Sequence, residues 1–339
     1  MEERPIDARK ERILRAIIDD YILTALPVGS RTISRKYETS LSSATIRNEM
    51  SDLEELGYLA QPHVSAGRVP SAKAYRLYVD ELLGSAPLPL DTAARAYFSQ
   101  RVRQMEDVDT RAAQAISEIT RYTAVVMMPK QLDLRVSTLQ LVPMPRGAAL
   151  LVIVTDTGAI RDTVIHVSAN LDGDALYAIS RMLTERLAGK TLREVQDMLG
   201  AYSRQMGGDA QVLSGIAELA AQMEKQSAHD TVTVSGSHNI LNYPEYSDVE
   251  KARSFLSVLE EREKLMALLP EGDARYSVRI GPETGMPEMA DCSVVTASYQ
   301  VGADHHGFIS VIGPTRMPYG RVLSALGAIG GALSDLLGE

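Results

Sequence analysis

Apolar residues recur at helical spacing from the start of the chain. Ile13, Ala16, Ile17 and Tyr21 share one stripe, with Leu14 and Ile18 beside it, and predict an amphipathic helix over 8–23. Pro27 and Gly29 interrupt that pattern. Ser30 is then placed to cap a short second helix, SRTISRKY, which is rich in Arg31, Arg35 and Lys36. After the link ETSL, a third seam of Ile46, Met50, Leu53 and Leu56 predicts a helix over 42–57. Ser42 or Ser43 can cap its start, because a serine oxygen accepts from the unpaired amides of a first turn. Gly57 is the residue type that lets a helix end in a left-handed turn. At about 100° per residue, Ala44, Asn48 and Ser51 lie opposite the seam, flanked by Arg47 and Thr45. The outer face near the amino end therefore carries small and hydrogen-bonding groups, as a helix that meets base edges in a major groove requires.

Beyond Gly57 the pattern becomes extended. Residues 58–61 and 68–70 read as two short strands around the irregular tip PHVSAG, and Ser71 caps a further helix, SAKAYRLYVDELL. Helix, helix, turn, helix, then a two-stranded flap, is the order of a winged helix-turn-helix. The tip residues His63, Ser65 and Arg68 are placed to reach phosphate or the minor groove. Simpler roles compete at each position. Arg47 can pair with Glu49 or Asp52, Arg68 can form a surface ion pair, and His63 can be an ordinary turn residue.

The rest of the chain alternates between element types. Pro, Gly and Ser mark 84–91 as a linker, and one long helix is expected over 92–121. Four β runs follow, at 123–128, 136–142, 148–155 and 160–167; the last three, with their short turns, suggest an antiparallel sheet. Helical patterns return over 172–200 and 209–227, then a β run at 229–235 and a charged helix at 249–269. The end is β again at 276–280, 292–301 and 307–313, closed by the small-residue helix RVLSALGAIGGALSDLL. Strands, a helical excursion and more strands describe a sheet domain with an insertion, placed at 171–244.

Composition narrows the class. The chain has 339 residues, enough for two or three domains, with 45% hydrophobic and 23% charged residues, as in ordinary globular proteins. No apolar run reaches the roughly 18 residues that a membrane span needs, and the charge-rich first twenty residues lack a signal-peptide core, so a cytoplasmic protein is expected. The single cysteine, Cys292, excludes an internal disulfide and a cysteine-based zinc site, and reads as a small buried hydrophobe. Net charge is −9, yet residues 28–76 hold seven basic and five acidic side chains, so a local basic patch sits on an acidic chain. No phosphate-binding loop, dinucleotide fingerprint or nucleophile elbow is present. His305-His306 lacks a ligand spacing around it, so neither metal nor cofactor is expected.

The runs PVGSRTISRKY, SSATIRNEMSDLEELGYLAQPHVSAGRVPS and YRLYVDELL together resemble the heat-inducible transcription repressor family, HrcA. Two departures are Ser71, where the family more often has threonine, and Ala74, where it often has glycine; neither alters the element it belongs to. The resemblance implies an α+β multidomain protein. It would have a winged helix-turn-helix at 1–84, a linker at 85–91, a GAF-like antiparallel-sheet domain at 92–170 and 245–339, and an inserted dimerising domain at 171–244. It implies a homodimer that represses chaperone operons from an inverted-repeat operator, CIRCE, with support from the GroE chaperonin and release by heat. On that implied DNA, Ser43, Thr45, Arg47 and Asn48 are expected near the bases, Arg47 suited to guanine and Asn48 to adenine. Ser30, Arg31, Arg35 and Lys36 are expected on phosphate, and His63, Ser65 and Arg68 on the wing contacts. Three other readings stay open. One is a repressor that senses a small molecule through the GAF-like domain, one an enzyme with an accessory winged helix, and one a winged helix used only to bind protein.

Overall fold

In a computed structural model, the chain is described over residues 6–63, 66–84, 90–101, 108–129, 134–156, 158–168, 171–202, 210–227, 231–270, 274–302 and 305–338. It opens with α1 (Ala8–Thr24), α2 (Ser30–Lys36) and α3 (Ser43–Glu55), followed by the two-stranded antiparallel pair β1 (Leu59–Ala60) and β2 (Val69–Pro70) and by α4 (Ala72–Gly84). Asp7 caps α1 by accepting from the amides of Arg9 and Lys10. The predicted stripes are the buried ones: Ile13, Leu14, Ile17 and Ile18 of α1, Ile33 of α2, and Ile46, Met50 and Leu53 of α3 close on one another. Ser30 does not cap α2, contrary to expectation. The Gly29 carbonyl already accepts from Thr32 and Ile33, so Gly29 is the cap and Ser30 falls inside the first turn.

A single helix over 92–121 is replaced by two, α5 (Thr92–Arg101) and α6 (Val108–Thr120). Along one straight helix, residues 97 and 118 would be separated by about 31 Å at 1.5 Å per residue. Instead the Tyr97 hydroxyl donates to the Glu118 carboxylate, so the two helices lie side by side.

The next strand, β3 (Thr123–Met128), does not join the β runs that follow it. Those runs, β4 (Val136–Met144), β5 (Ala148–Thr155) and β6 (Ile160–His166), form their own three-stranded antiparallel sheet in the order β4-β5-β6. Three helices, α7 (Gly173–Leu187), α8 (Leu192–Tyr202) and α9 (Ala210–Ser227), cover one face of it. Their shared core runs from Leu134 to Met223 and is separate from every other cluster. The β4 edge is closed by α7, where Thr184 Oγ1 accepts from the Leu139 amide and donates to its carbonyl, while Ser180 Oγ accepts from the Leu141 amide. The unit inserted into the larger sheet is therefore this sheet with its helices. The 171–244 boundaries expected for the insertion cut through it: residues 136–166 fall on its side, and 231–235 do not.

The larger sheet has five antiparallel strands in the order β7-β3-β10-β9-β8, where β7 is Thr231–Ser235, β8 Tyr276–Ile280, β9 Cys292–Val301 and β10 His305–Pro314. Between β7 and β8 come α10 (Val249–Glu260) and α11 (Arg262–Ala267), and α12 (Tyr319–Leu337) closes the chain. One face of the sheet packs Val126, Val295, Ala297, Ile309 and Val311 against α5, α6 and α12. The other packs Val125, Cys292, Val294 and Ile312 against Phe255 and Val258 of α10 and Leu265 of α11. Covered on both faces, β9 and β10 are buried along most of their length rather than on alternate residues, and the Thr296 and Ser310 hydroxyls inside them satisfy one another at 2.8 Å. The helix α12 is long and apolar enough to cross a bilayer, but its apolar side chains are spent on this core.

Cys292 lies fully buried with its Sγ 2.7 Å from the Tyr246 hydroxyl, and burial pushes its thiol up to about 12. The native chain is therefore expected to resist a thiol reagent at about pH 8, where an ordinary thiol of pKa near 8.5 reacts. Labelling should follow unfolding of the five-stranded sheet. Rapid labelling of the folded chain would show that this core opens in the native state.

The first four helices do not form a core of their own. Their buried side chains and those of α5, α6 and α12 belong to one continuous cluster. The ring of Tyr75, on α4, lies 5.9 Å from that of Tyr319, the first residue of α12. Arg76 grips Glu283 at 2.6 Å, and Arg316 pairs with Glu245 while donating to the Ile22 carbonyl of α1 at 3.3 Å.

Candidate nucleic-acid interface

The third helix is fixed at both ends. Ser42 is the cap: its Oγ accepts from the Thr45 amide at 3.1 Å and lies 2.9 Å from the Thr45 hydroxyl. At the other end Gly57 adopts φ +78°, the Gly57 amide donates to Glu54 and the Tyr58 amide to Leu53. This pair of bonds satisfies the last carbonyls of the helix. Ser71 Oγ then donates to the Gly57 carbonyl at 2.7 Å, tying the helix end to the start of α4. With its seam buried, α3 leaves Ala44, Arg47, Asn48 and Ser51 exposed, with Ser43 and Thr45 half-buried at the flank.

Arg47 has no ion-pair partner among the described residues. The carboxylates that might have held it are on other sides of the helix and otherwise engaged. Lys10 Nζ lies 2.8 Å from Glu49 and 3.1 Å from Asp52, and Arg9 lies 3.4 Å from Glu49. Arg31 and Arg35, four residues apart on α2, lie opposite its buried Ile33 and are exposed.

Two expected phosphate ligands have other partners. Lys36 lies 2.9 Å from Asp20, whose side chain is only 7% exposed; a carboxylate buried that far needs a cation beside it. Arg68 makes a two-point contact with Glu54 of α3, at 2.8 and 2.7 Å, and is 19% exposed. Arg68 also exchanges both backbone hydrogen bonds with Val28, adding a third short strand to the base of the flap. At Gly67 a Cβ would lie 2.4 Å from the Val28 carbonyl oxygen, so only glycine allows that approach. His63 is exposed at the tip, where its carbonyl accepts from Ala66 at 2.8 Å; Ser65 lies outside the described residues. The sequence offers Glu49 only as a partner of Arg47, and gives no sign of the roles of Lys10 and Glu54. Their partners are 14 to 42 residues away along the chain, and no local pattern announces such pairs.

A short three-helix unit whose third helix is pinned by its neighbours yet uncovered along a polar strip, next to a two-stranded flap, is built like a transcription regulator that meets DNA. The chain belongs to the HrcA family of heat-inducible transcription repressors, a class of regulators rather than enzymes. The family described as HrcA protein C terminal domain matches residues 106–323. The heat-inducible transcription repressor HrcA of Acetivibrio thermocellus is 38% identical over 331 residues, covering 95% of this chain and 93% of the relative. The protein of the same name from Ruminiclostridium cellulolyticum is 40% identical over 335 residues, covering 96% and 95%. A crystal structure of a hypothetical protein at 2.2 Å resolution matches with a TM-score of 0.73 at 26% identity, over 98% of this chain and 99% of that one. The likeness therefore extends through all the packed units described above.

Proposed function

We propose that this repressor binds a CIRCE-type inverted-repeat operator ahead of chaperone operons as a homodimer, and that heat releases it. The observation that carries the reading is the pair Arg47 and Asn48, exposed and without a side-chain partner among the described residues, on the open face of a helix held at both ends. Arg47 reaches guanine and Asn48 adenine, with Ser43 and Thr45 at the edge of the same contact. Ser30, Arg31 and Arg35 meet phosphate beside it, and His63 does so from the wing tip. Lys36 and Arg68 serve the same contact through the elements they hold, α2 to α1 and the wing to α3.

In this reading residues 1–84 are the winged helix, 85–91 the linker, the five-stranded sheet with its helices the GAF-like domain, and the separate three-stranded unit the dimerising insertion. The outer face of that unit supports a second copy. Strand alternation puts Val142, Leu150 and Val164 in one row on it, and Val154 and Ile160 in another. In the single chain Val164 is 54% exposed and Ile160 45%. The row Gln140, Val152 and Asp162 lies between those two rows, so the face is apolar along β5 with polar groups at its flanks, and exposed apolar side chains grouped in this way mark an interaction face. Two copies joined there would present two reading helices to two half-sites, which matches an inverted repeat. A protein at work on operators is cytoplasmic, within reach of the GroE chaperonin whose diversion by unfolded clients relieves repression.

Fluorescence anisotropy on an inverted-repeat duplex tests the reading. Arg47→Ala is expected to weaken binding by about 1–3 kcal/mol and to relax the preference at one operator position. A uniform loss across all sequences would place Arg47 on phosphate instead. Equal affinity of the native chain for the operator and a scrambled duplex would reject sequence-specific repression.

A further inference from the structure

The reading helix has the wrong charge for its task. Over Ser43–Glu55, α3 carries one basic side chain, Arg47, and four acidic ones, Glu49, Asp52, Glu54 and Glu55. Duplex DNA presents one negative charge per about 1.7 Å of axis, so an acidic helix entering a groove is repelled. Asp52 is one helical turn from Asn48 and 55% exposed, at the margin of the reading face.

The fold pairs three of these four charges, those of Glu49, Asp52 and Glu54, from outside the helix. Lys10 of α1 reaches both Glu49 and Asp52, at 2.8 and 3.1 Å, with Asp7 a further 3.5 Å neighbour. The Glu49 Oε2 is buried, and the Lys10 contact to it is one of charge rather than of well-aligned hydrogen bonding. On the opposite flank Arg68 neutralises Glu54. We infer that Lys10 is a positioning residue for operator binding, which acts by masking Glu49 and Asp52 from the phosphates and not by touching DNA, with Arg68 doing the same for Glu54 from the wing. The contact to Glu49 first, and to Asp52 next, holds the Lys10 ammonium well above its ordinary pKa, so the mask stays charged throughout the physiological range. Placing the cation on α1 also leaves Arg47 free, since a lysine on α3 itself would occupy the groove-facing surface.

The inference rests on the proposed operator contact, and the experiment separates the two. Operator and scrambled duplexes are titrated by anisotropy over a range of salt, below the melting temperature of every variant. Lys10→Met is expected to weaken operator binding at least tenfold at low salt. Adding Glu49→Gln and Asp52→Asn to it should restore affinity to within threefold, with the salt slope of the native chain. Asp52→Asn alone, at an exposed site that does not endanger folding, should tighten binding severalfold at low salt. Affinity of Lys10→Met within threefold of the native chain overturns the inference. So does a loss that the two neutralising substitutions do not repair and that comes with a salt slope smaller by about one, the mark of a lost phosphate contact. Failure of Asp52→Asn to tighten binding also overturns it. A native chain with no preference for the operator overturns the operator reading itself, and this inference with it.

Discussion

Val164→Asp is expected to split the proposed dimer into monomers and to weaken binding to an inverted-repeat operator by about a hundredfold or more. Val164 is the middle of the free edge strand of the three-stranded sheet, and its neighbours across the register are Leu150 and Val142. In a single chain this position is open, so a carboxylate there does not threaten the fold beyond the roughly 0.5 kcal/mol typical of surface changes. Between two copies the same carboxylate would be desolvated against apolar side chains without a partner, which costs several kcal/mol. Joining two half-site contacts raises affinity by roughly 10²–10⁴ through effective concentration alone, and a monomer forfeits that factor. Sedimentation velocity should show the change of mass, while affinity for an isolated half-site stays at the native value. A variant that remains dimeric would move the interface away from this face. A dimer lost without loss of operator affinity would separate assembly from DNA binding.

The parts of the molecule legible in the sequence are those whose causes are local. The seam of Ile46, Met50 and Leu53, the cap at Ser42 and the left-handed Gly57 all act within one helix, and each stands where the spacing put it. Pairing between distant segments left no such trace. The β3 run looks like its neighbours at 136–166, yet its partners are β10 and β7, more than a hundred residues on. That is why the insertion was misplaced. The side-by-side packing of α5 and α6 was equally silent, because Ala94 and Phe98 on one and Ala112 and Ile116 on the other keep the same helical period. At the candidate site the exposed groups were found by elimination of the buried face. The sequence left Arg68 open between phosphate and an ion pair and gave no sign of the pair that takes Lys36, since a basic residue reads the same whether a phosphate or a carboxylate faces it. The acidic character of α3 was visible from the start, but its remedy lies on α1 and the wing, where only the fold brings the charges together.

Tyr319→Ala is expected to lower the temperature at which operator binding is lost by roughly 6 °C or more, in step with the melting of the five-stranded sheet. Tyr319 is fully buried, and its hydroxyl lies 2.6 Å from both Ser293 Oγ and the Thr315 carbonyl. Removing a buried aromatic ring costs about 3–5 kcal/mol, and each kcal/mol moves the melting point of a domain this large by about 2–4 °C. The residue stands at the start of α12, not on the face of α3 proposed to read DNA. Its ring faces Tyr75 on α4, within the single core that joins the first four helices to α12. Heat that loosens the sheet therefore loosens the footing of α4, and through it the seating of α1 and α3. This gives a route from temperature to operator affinity that needs no ligand. Operator occupancy and Cys292 labelling, followed on the same temperature ramp, read the two ends of that route. Parallel shifts of both midpoints are the expected outcome. A shift in Cys292 labelling with operator occupancy unmoved would show that α1 and α3 keep their seating without the sheet, and would overturn this route for the proposed release by heat.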